Sequence, residues 1–327
     1  MTFHMAATTY LSALKRPPPR VAILLYTCQG EESLAEQLDS FAAQTHSNWV
    51  VWASDGGSAD DTPAILAHYQ EAWGTDKLVI LSGPTDGATR NFMSLAHNPD
   101  IQADYYAFSG QDGIWEADKL QRAIAQLERN MEPGDQDTPA LYCSRTRYVD
   151  AENHERGLSR LFRKPPGFAN ALTQNIAGSN TMVFNQGACR LLRSVRKTAE
   201  LAMHDWWVYI VVSGCGGTVL YDAYPSLRRR RHSGEGAGMD SMWRTRLYRF
   251  RQLFEGRHRQ WNEQHILALQ QLEARLTPRN RQVLLLFAQA RQSWLLPRLA
   301  KLAKAGVYRQ TLSGDIGLVL AAIFNKL

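Results

Sequence analysis

Along the first 130 residues, two kinds of segment alternate. Runs that are apolar at nearly every position stand at 21–27, 49–53, 77–81 and 105–108. A run with no polar face predicts a strand covered on both sides, as in a parallel sheet. Between these runs, Leu34, Leu38, Phe41 and Ala42 recur at a helical period within 31–44. Residues 60–63 open a second helix with acids and Pro63 in its first turn, and 87–96 predict a loop and helix. Strands alternating with helices predict a right-handed, mostly parallel α/β sheet through at least residue 130.

Beyond that point the pattern loosens. Residues 131–138 form a polar loop, 140–148 predict a strand, and 150–166 are polar, basic and expected to be mobile. Gly178, Ser179 and Asn180 precede a strand-like run at 181–184. His204 and Asp205 open an apolar helix to about Val212, ended by Gly214, Gly216 and Gly217. Residues 219–221 read as a short strand feeding four arginines, Arg228 to Arg231. From Met242 onward the period is helical, with Leu247, Phe250, Leu253 and Phe254 on one face and further helices at 266–276 and 283–296. The expected organisation is an irregular lead-in over 1–19, an α/β domain over 20–240 and a helical C-terminal extension over 241–327.

Composition changes this picture in a few places. With 44% hydrophobic and 21% charged residues in 327, the chain has the make-up of a soluble globular protein. The net charge of +6 is concentrated in the arginine run and in Arg244, Arg246, Arg249, Arg251, Arg257 and Arg259. Such a band favours phosphate-bearing ligands or the anionic face of a membrane, and the alternative is helix packing with the arginines reaching water. Cys28, Cys143, Cys189 and Cys215 form no C-x-x-C pair, which argues against structural zinc and a disulfide framework and fits a reducing cytoplasm. No leader-like apolar run precedes Lys15-Arg16, and the apolar run 316–324 is too short to span a bilayer. The expected location is cytoplasmic, with peripheral contact at the inner membrane face through the basic C-terminal helices. No G-x-G-x-x-G follows the first strand, which sets aside a dinucleotide-binding oxidoreductase.

Four places carry candidate chemistry. Asp112 ends an apolar strand between Gly110 and Gly113, and the chain restarts at Ile114-Trp115. A carboxylate there either coordinates a divalent cation bridging a diphosphate or caps a turn. Asp55 ends the second strand before Gly56-Gly57-Ser58, and either accepts hydrogen bonds from a nucleotide or belongs to a strand–turn–helix junction. Asp205 is either a general base toward a hydroxyl or a helix cap. Arg230 and His232 either neutralise a diphosphate or form a solvated basic surface.

In order and spacing, these pieces resemble the family 2 glycosyltransferases of the GT-A fold, particularly the bacterial rhamnosyltransferase-like group, over residues 20 to 240. The matching segments are Gln44-Thr45-His46-Ser47-Asn48-Trp49, the Asp55 to Thr62 loop, Gly87 with Asn91-Phe92, Phe108 to Trp115 with Lys119-Leu120, His204-Asp205-Trp206-Trp207, and Arg230-Arg231-His232 before Gly238. The resemblance implies an inverting transfer of sugar from a nucleotide-diphosphate donor to a glycan or lipid-linked acceptor in surface polysaccharide assembly, with no nucleic-acid partner. It makes Asp205 the catalytic base. It puts the donor on Thr27, Asp55, Gly87, Asn91, Gln111, Arg230 and His232, and a Mg²⁺ or Mn²⁺ ion on Asp112 and His232. It puts the acceptor beside Trp115, Asn175, Gly178, Asn180, His204 and Trp206. The family usually carries acids where this chain has Gly56, Gly110 and Gly113, so Asp112 is what remains of its D-x-D metal motif, and Arg229 is expected to add a charge that would partly replace the ion. The alternative is a degenerate member that binds nucleotide-sugar or glycan in an assembly complex without catalysis.

Overall fold

The computed structural model describes residues 17–133, 135–230 and 257–327. Strands β1 (Val21–Thr27), β2 (Trp49–Asp55), β3 (Leu78–Ser82) and β4 (Tyr105–Ser109) lie parallel in the order β3-β2-β1-β4. They are linked by helices α1 (Leu34–Ala42), α2 (Thr62–Trp73) and α3 (Ala88–His97). All five residues of β4 are buried, as are Val21 to Leu25 of β1, so these stretches have no solvent-facing side. Parallel pairing brings the carboxyl ends of these strands, with the segments that follow Thr27, Asp55 and Ser109, to one edge of the sheet.

Past β4 the sheet is mixed. β8 (Val183–Asn185) runs antiparallel to both β4 and β6 (Ala140–Val149). β9 (Thr218–Arg230) is parallel to β6 and antiparallel to β5 (Gly113–Trp115), and β7 (Glu155–Leu158) forms a hairpin with β6. Residues 113–115 therefore do not resume β4; they pair with β9 at the far end of the strand order. The short strand expected at 219–221 extends to Arg230. It does so because Pro225, Ser226 and Leu227 are buried ahead of the less buried arginines, and Gly113, Ile114 and Trp115 pair with Arg229, Arg228 and Leu227.

Two apolar clusters sandwich the sheet. One contains Leu34, Leu38 and Phe41 of α1 with Leu120, Ile124 and Leu127 of α4 (Lys119–Arg129). The other surrounds α7 (His204–Gly214), which follows α5 (Phe168–Ala171) and α6 (Gln186–Arg193). Every residue of α7 is buried, as expected for a helix apolar all round. The same cluster takes in Leu269 of α8 (Arg257–Gln270), Phe287 of α9 (Pro278–Gln292), Leu302 of α10 (Leu295–Ala305) and Ala322 of α11 (Leu312–Ile323). The helix expected to carry Arg244, Arg246, Arg249 and Arg251 lies outside the described residues, as does His232. The four cysteines are free.

Candidate active site

The strand-end loops are built by hydrogen bonds that use up the side chains singled out there. Asp55 accepts four. Thr27 Oγ1 (2.9 Å) and Ser58 Oγ (2.6 Å) donate to Oδ1, and the Gly57 (3.1 Å) and Ser58 (2.8 Å) amides donate to Oδ2. Burial works to raise this carboxyl, and the hydrogen bonds from Ser58, Thr27 and Gly57 outweigh it, holding the group below its usual value. Four donors fill a carboxylate's acceptor positions. Asp55 and the fully buried Thr27 thus hold the shape of the loop that was expected to bind the donor. Gln111 is likewise engaged: its Oε1 accepts from the Cys28 amide (2.7 Å), and its Nε2 donates to the carbonyls of Cys28 (2.8 Å) and Gln29 (3.3 Å). This amide buckles the β4–β5 loop to the loop after β1. A Cβ at Gly30 would lie 2.4 Å from Gln111 Oε1, so a larger residue there would push this amide out of its place. Asn91 is fully buried and donates to the Pro84 carbonyl (3.2 Å), so it positions the loop before α3 from behind. Gly87, with φ of +117°, caps α3 and lines a cavity of about 640 Å³ together with Arg90, Met93 and Lys197.

Asp112 differs from these. Its side chain is 52% exposed, and its two contacts are long: Arg229 Nε at 3.5 Å and Asn180 Nδ2 at 3.5 Å. The Arg229 contact follows from register, since Arg229 pairs with Gly113 across β5 and β9. Asn180 lies in the 3₁₀ turn Ser179–Thr181 and also accepts from the Gly110 amide through Oδ1 (2.5 Å).

The same turn reaches Asp205. That carboxylate stands in the first turn of α7, is nearly fully buried, and accepts from the Trp206 amide (2.7 Å), the Asn175 side chain and the Ser179 amide. Burial outweighs those bonds and pushes its pKa up to about 6. Residues 175 to 180 therefore touch Asp205 at Asn175 and Ser179 and Asp112 at Asn180. Between those contacts, Ile176, Ala177 and Gly178 line a cleft of about 640 Å³, whose other walls include Tyr148, Phe162, Tyr221, Arg229 and Thr311.

Three residues expected beside the acceptor are core instead. Trp115 packs edge-on against Phe41 with ring centroids 4.6 Å apart. The Trp206 indole donates to the Ala171 carbonyl (2.6 Å). His204 stacks on Phe92 at 4.1 Å, and burial pushes its pKa down to about 3, so the ring is neutral. Polar-tipped aromatics filling a core look, in sequence, like ligand contacts. Arg230 also departs from expectation: its guanidinium is paired two-pronged with Glu36 of α1, at 2.6 and 2.9 Å.

Lys119, from the segment that resembles the family's K-L pair, supports the site from below. It is fully buried under the site, with Nζ donating to the Asn180 carbonyl (2.7 Å) and lying 4.5 Å from the centre of the Trp115 ring. Its available signal was position, since Lys119 shares the apolar face of α4 with Leu120, Ala123 and Leu127. Burial pushes its pKa down to about 7 from 10.5. Between those values the unfolded chain holds the proton and the folded one does not, so stability rises with pH in that window. Lys119→Met should remove that rise, which amounts to at most about 1.4 kcal/mol per pH unit. Urea midpoints at neutral and alkaline pH measure it, and equal slopes for both proteins would refute the assignment.

The described acid–histidine group close enough to hold a metal is Asp150, Glu152 and His154, in the β6–β7 hairpin and not beside Asp112. There Asp150 Oδ1 accepts from the amides of Glu152 and His154, ordinary turn bonding.

Comparison with known proteins places the family and the fold. The profile described as "Glycosyl transferase family 2" matches residues 21–197. The chain is 25% identical over 230 residues to dTDP-rhamnosyl transferase RfbG of Shigella flexneri, covering 68% of this chain and 76% of that protein. It is 27% identical over 215 residues to the putative glycosyltransferase EpsE of Bacillus subtilis (strain 168), covering 64% and 73%. Among solved structures, S. aureus TarS 1-349 in complex with UDP superposes with a TM-score of 0.50 at 14% identity, covering 88% of this chain and 90% of that one. That likeness gives the GT-A fold.

Proposed function

This chain belongs to glycosyl transferase family 2, and from that premise we propose that it moves a sugar, with inversion, from a nucleoside-diphosphate donor to a hydroxyl of a glycan or lipid-linked acceptor. The carrying observation is Asp205, a buried carboxylate with a pKa near 6, tied through residues 175–180 to the exposed Asp112. The transferase unit is taken as residues 20–240, with 241–327 an accessory helical segment.

In this reading the acceptor occupies the cleft beside Gly178. Phe162 and Tyr221, 5.6 Å apart, offer flat apolar faces to sugar rings, and Arg229 stands at the donor end. Asp205 is mostly ionised at neutral pH and takes the hydroxyl proton as the oxygen attacks the anomeric carbon. The bond from that carbon to the diphosphate oxygen breaks, and the nucleoside diphosphate leaves with the electron pair. Asp205 then returns its proton to solvent. A buried base with a pKa near the working pH suits this transfer. Arg229 faces the departing charge, where a preorganised cation lowers the barrier. Arg230 reaches a diphosphate only by leaving Glu36.

Asp112 fits a divalent cation as a single ligand. It is exposed and has no contact shorter than 3.5 Å to break, and Mg²⁺ is commonly held by one carboxylate plus substrate phosphates. When bound, Mg²⁺ or Mn²⁺ would neutralise charge on the diphosphate.

The test is a donor screen. The similarity to RfbG makes dTDP-rhamnose the first donor to try, beside UDP-N-acetylglucosamine and GDP-mannose. A donor at a hundredfold excess over its dissociation constant stabilises the fold by about 2.7 kcal/mol. The expected result is a raised thermal midpoint with one donor, and slow release of its nucleoside diphosphate that Asp112→Ala removes. Stabilisation without release by wild type would favour the non-catalytic binder, and stabilisation by none would overturn the donor class.

A further inference from the structure

α11 is apolar on two opposite faces, and only one of them is covered. Ala321 and Ala322 face the core. Leu312, Ile316, Val319 and Ile323 stand at i, i+4, i+7 and i+11, within about 60° of one another at ~100° per residue. They are 77, 54, 49 and 41% exposed. Trp294 and Leu296, at the start of the neighbouring α10, are exposed by 67 and 64%.

This face is held, not frayed. Arg298 donates to the Ala322 carbonyl near the C-terminal end of α11 (2.7 Å) and to the Ser293 carbonyl at the end of α9 (2.6 Å). At the N-terminal end, Thr311 Oγ1 accepts from the Gly314 amide, and Asp315 pairs with Lys164 at 2.6 Å. The lone charge on α11 is thus neutralised.

Charge selects the occupant. From Thr277 to Leu327 there are eight lysines and arginines against one acid, Asp315; Arg298 and Arg309 are engaged by carbonyls inside the fold, which leaves six. Lys301 and Lys304 are on α10; Lys301 donates to Ser293 Oγ, next to the exposed Trp294. A second copy of the chain would bring like charges together, whereas an anionic lipid surface complements them. No helix among the described residues is long and apolar enough to cross a membrane. A short helix with an exposed apolar stripe, neighbouring cations and a nearby tryptophan is built to lie in the interface. We propose that the outer face of α11, with Trp294 and Leu296 of α10, docks this protein on an anionic membrane surface.

The docking face differs from the arginine-rich stretch that composition pointed to. It also starts at the cleft. Thr311 both lines the cleft and caps α11, so a saccharide in the cleft would have its carrier beside the docked helix.

Sedimentation of the full chain with vesicles tests the proposal without any sugar. Binding to equimolar phosphatidylglycerol and phosphatidylcholine is expected, with little binding to phosphatidylcholine alone, and with a decline as salt is raised. Ile316→Glu/Val319→Glu should lower partitioning at least about tenfold at an unchanged thermal midpoint, since both side chains are half exposed. Lys301→Gln/Lys304→Gln should weaken binding to the anionic vesicles only. Wild-type partitioning by the glutamate variant, or equal binding to both lipids, would overturn the proposal. So would a vesicle-inert protein whose dimer dissociates in the glutamate variant, an outcome that assigns the face to a second copy.

Discussion

Asp205→Asn should abolish sugar transfer while removing the loss of stability that the wild type suffers as pH rises toward neutrality. Loss of a positioned general base costs roughly a hundred- to ten-thousandfold in rate. That loss of stability has the same origin as the catalytic pKa. Burial lifts this carboxyl to about 6 from 3.8, so the folded state resists ionising it. Below the lower value the proton is bound in both states and nothing is lost. As pH rises through about 6, the folded chain must hold a buried charge that the unfolded chain carries at no cost, and stability falls. The asparagine variant lacks that fall. The stability difference in its favour should therefore grow between about pH 4 and 6 and level off above, by at most about 3 kcal/mol for two pKa units. An offset remains at every pH, because the amide turns an N–H toward the Asn175 and Ser179 donors. The growth with pH does not depend on that offset.

Two measurements decide it. The wild-type kcat/KM should rise with pH and level off above about 6, as a free base in the resting enzyme requires. Denaturant midpoints of both proteins across the same range should diverge. A helix cap behaves otherwise, because asparagine caps as well as aspartate. Here the cap position is Met203, and Asp205 accepts from the amide of its own neighbour. Near-normal transfer by Asp205→Asn would return the residue to a structural role.

The parallel half of the fold was legible because its strands are apolar at nearly every position and its helices carry a clean period. The second half was not. β9 holds three consecutive arginines, and only Leu227 signals its buried face. β5 is three residues long, and its partner lies more than a hundred residues onward, so nothing local distinguishes it from a continuation of β4. In the site, Asp112 and Asp205 were visible from their positions at a strand end and a helix start. Whether a polar side chain is free was not visible. Asp55 and Gln111 look identical in sequence whether they face a ligand or close a loop, and Arg230 meets Glu36 across 194 residues. Lys119 escaped as a site residue because a charge on an apolar helix face is read as a helix edge until its burial is known.

Asp112→Ala should lower transfer and nucleoside-diphosphate release at least a hundredfold, with almost no change in the thermal midpoint. Its ion pair with Arg229 is long and more than half exposed on both sides, and such pairs contribute little to stability. Gly110 offers the complementary experiment. A Cβ there would meet only side-chain atoms, Asn180 Oδ1 at 3.3 Å and Asp112 Oδ1 at 3.4 Å, so an acid can be accommodated by a small shift of Asn180. A Cβ at Gly113 would lie 2.8 Å from Gln37 Oε1, which is buried, so Gly113→Asp should destabilise the protein. Gly110→Asp puts a second carboxylate beside Asp112, and the Mn²⁺ concentration for half-maximal rate should fall about tenfold, equivalent to ~1.4 kcal/mol of binding. Arg229→Ala should move the chelator response the other way, from partial to complete loss of activity, if that guanidinium shares the charge of the diphosphate with the ion. An unchanged Mn²⁺ requirement in Gly110→Asp, together with an unchanged rate in Asp112→Ala, would leave Arg229 as the charge facing the diphosphate and remove the metal from this site.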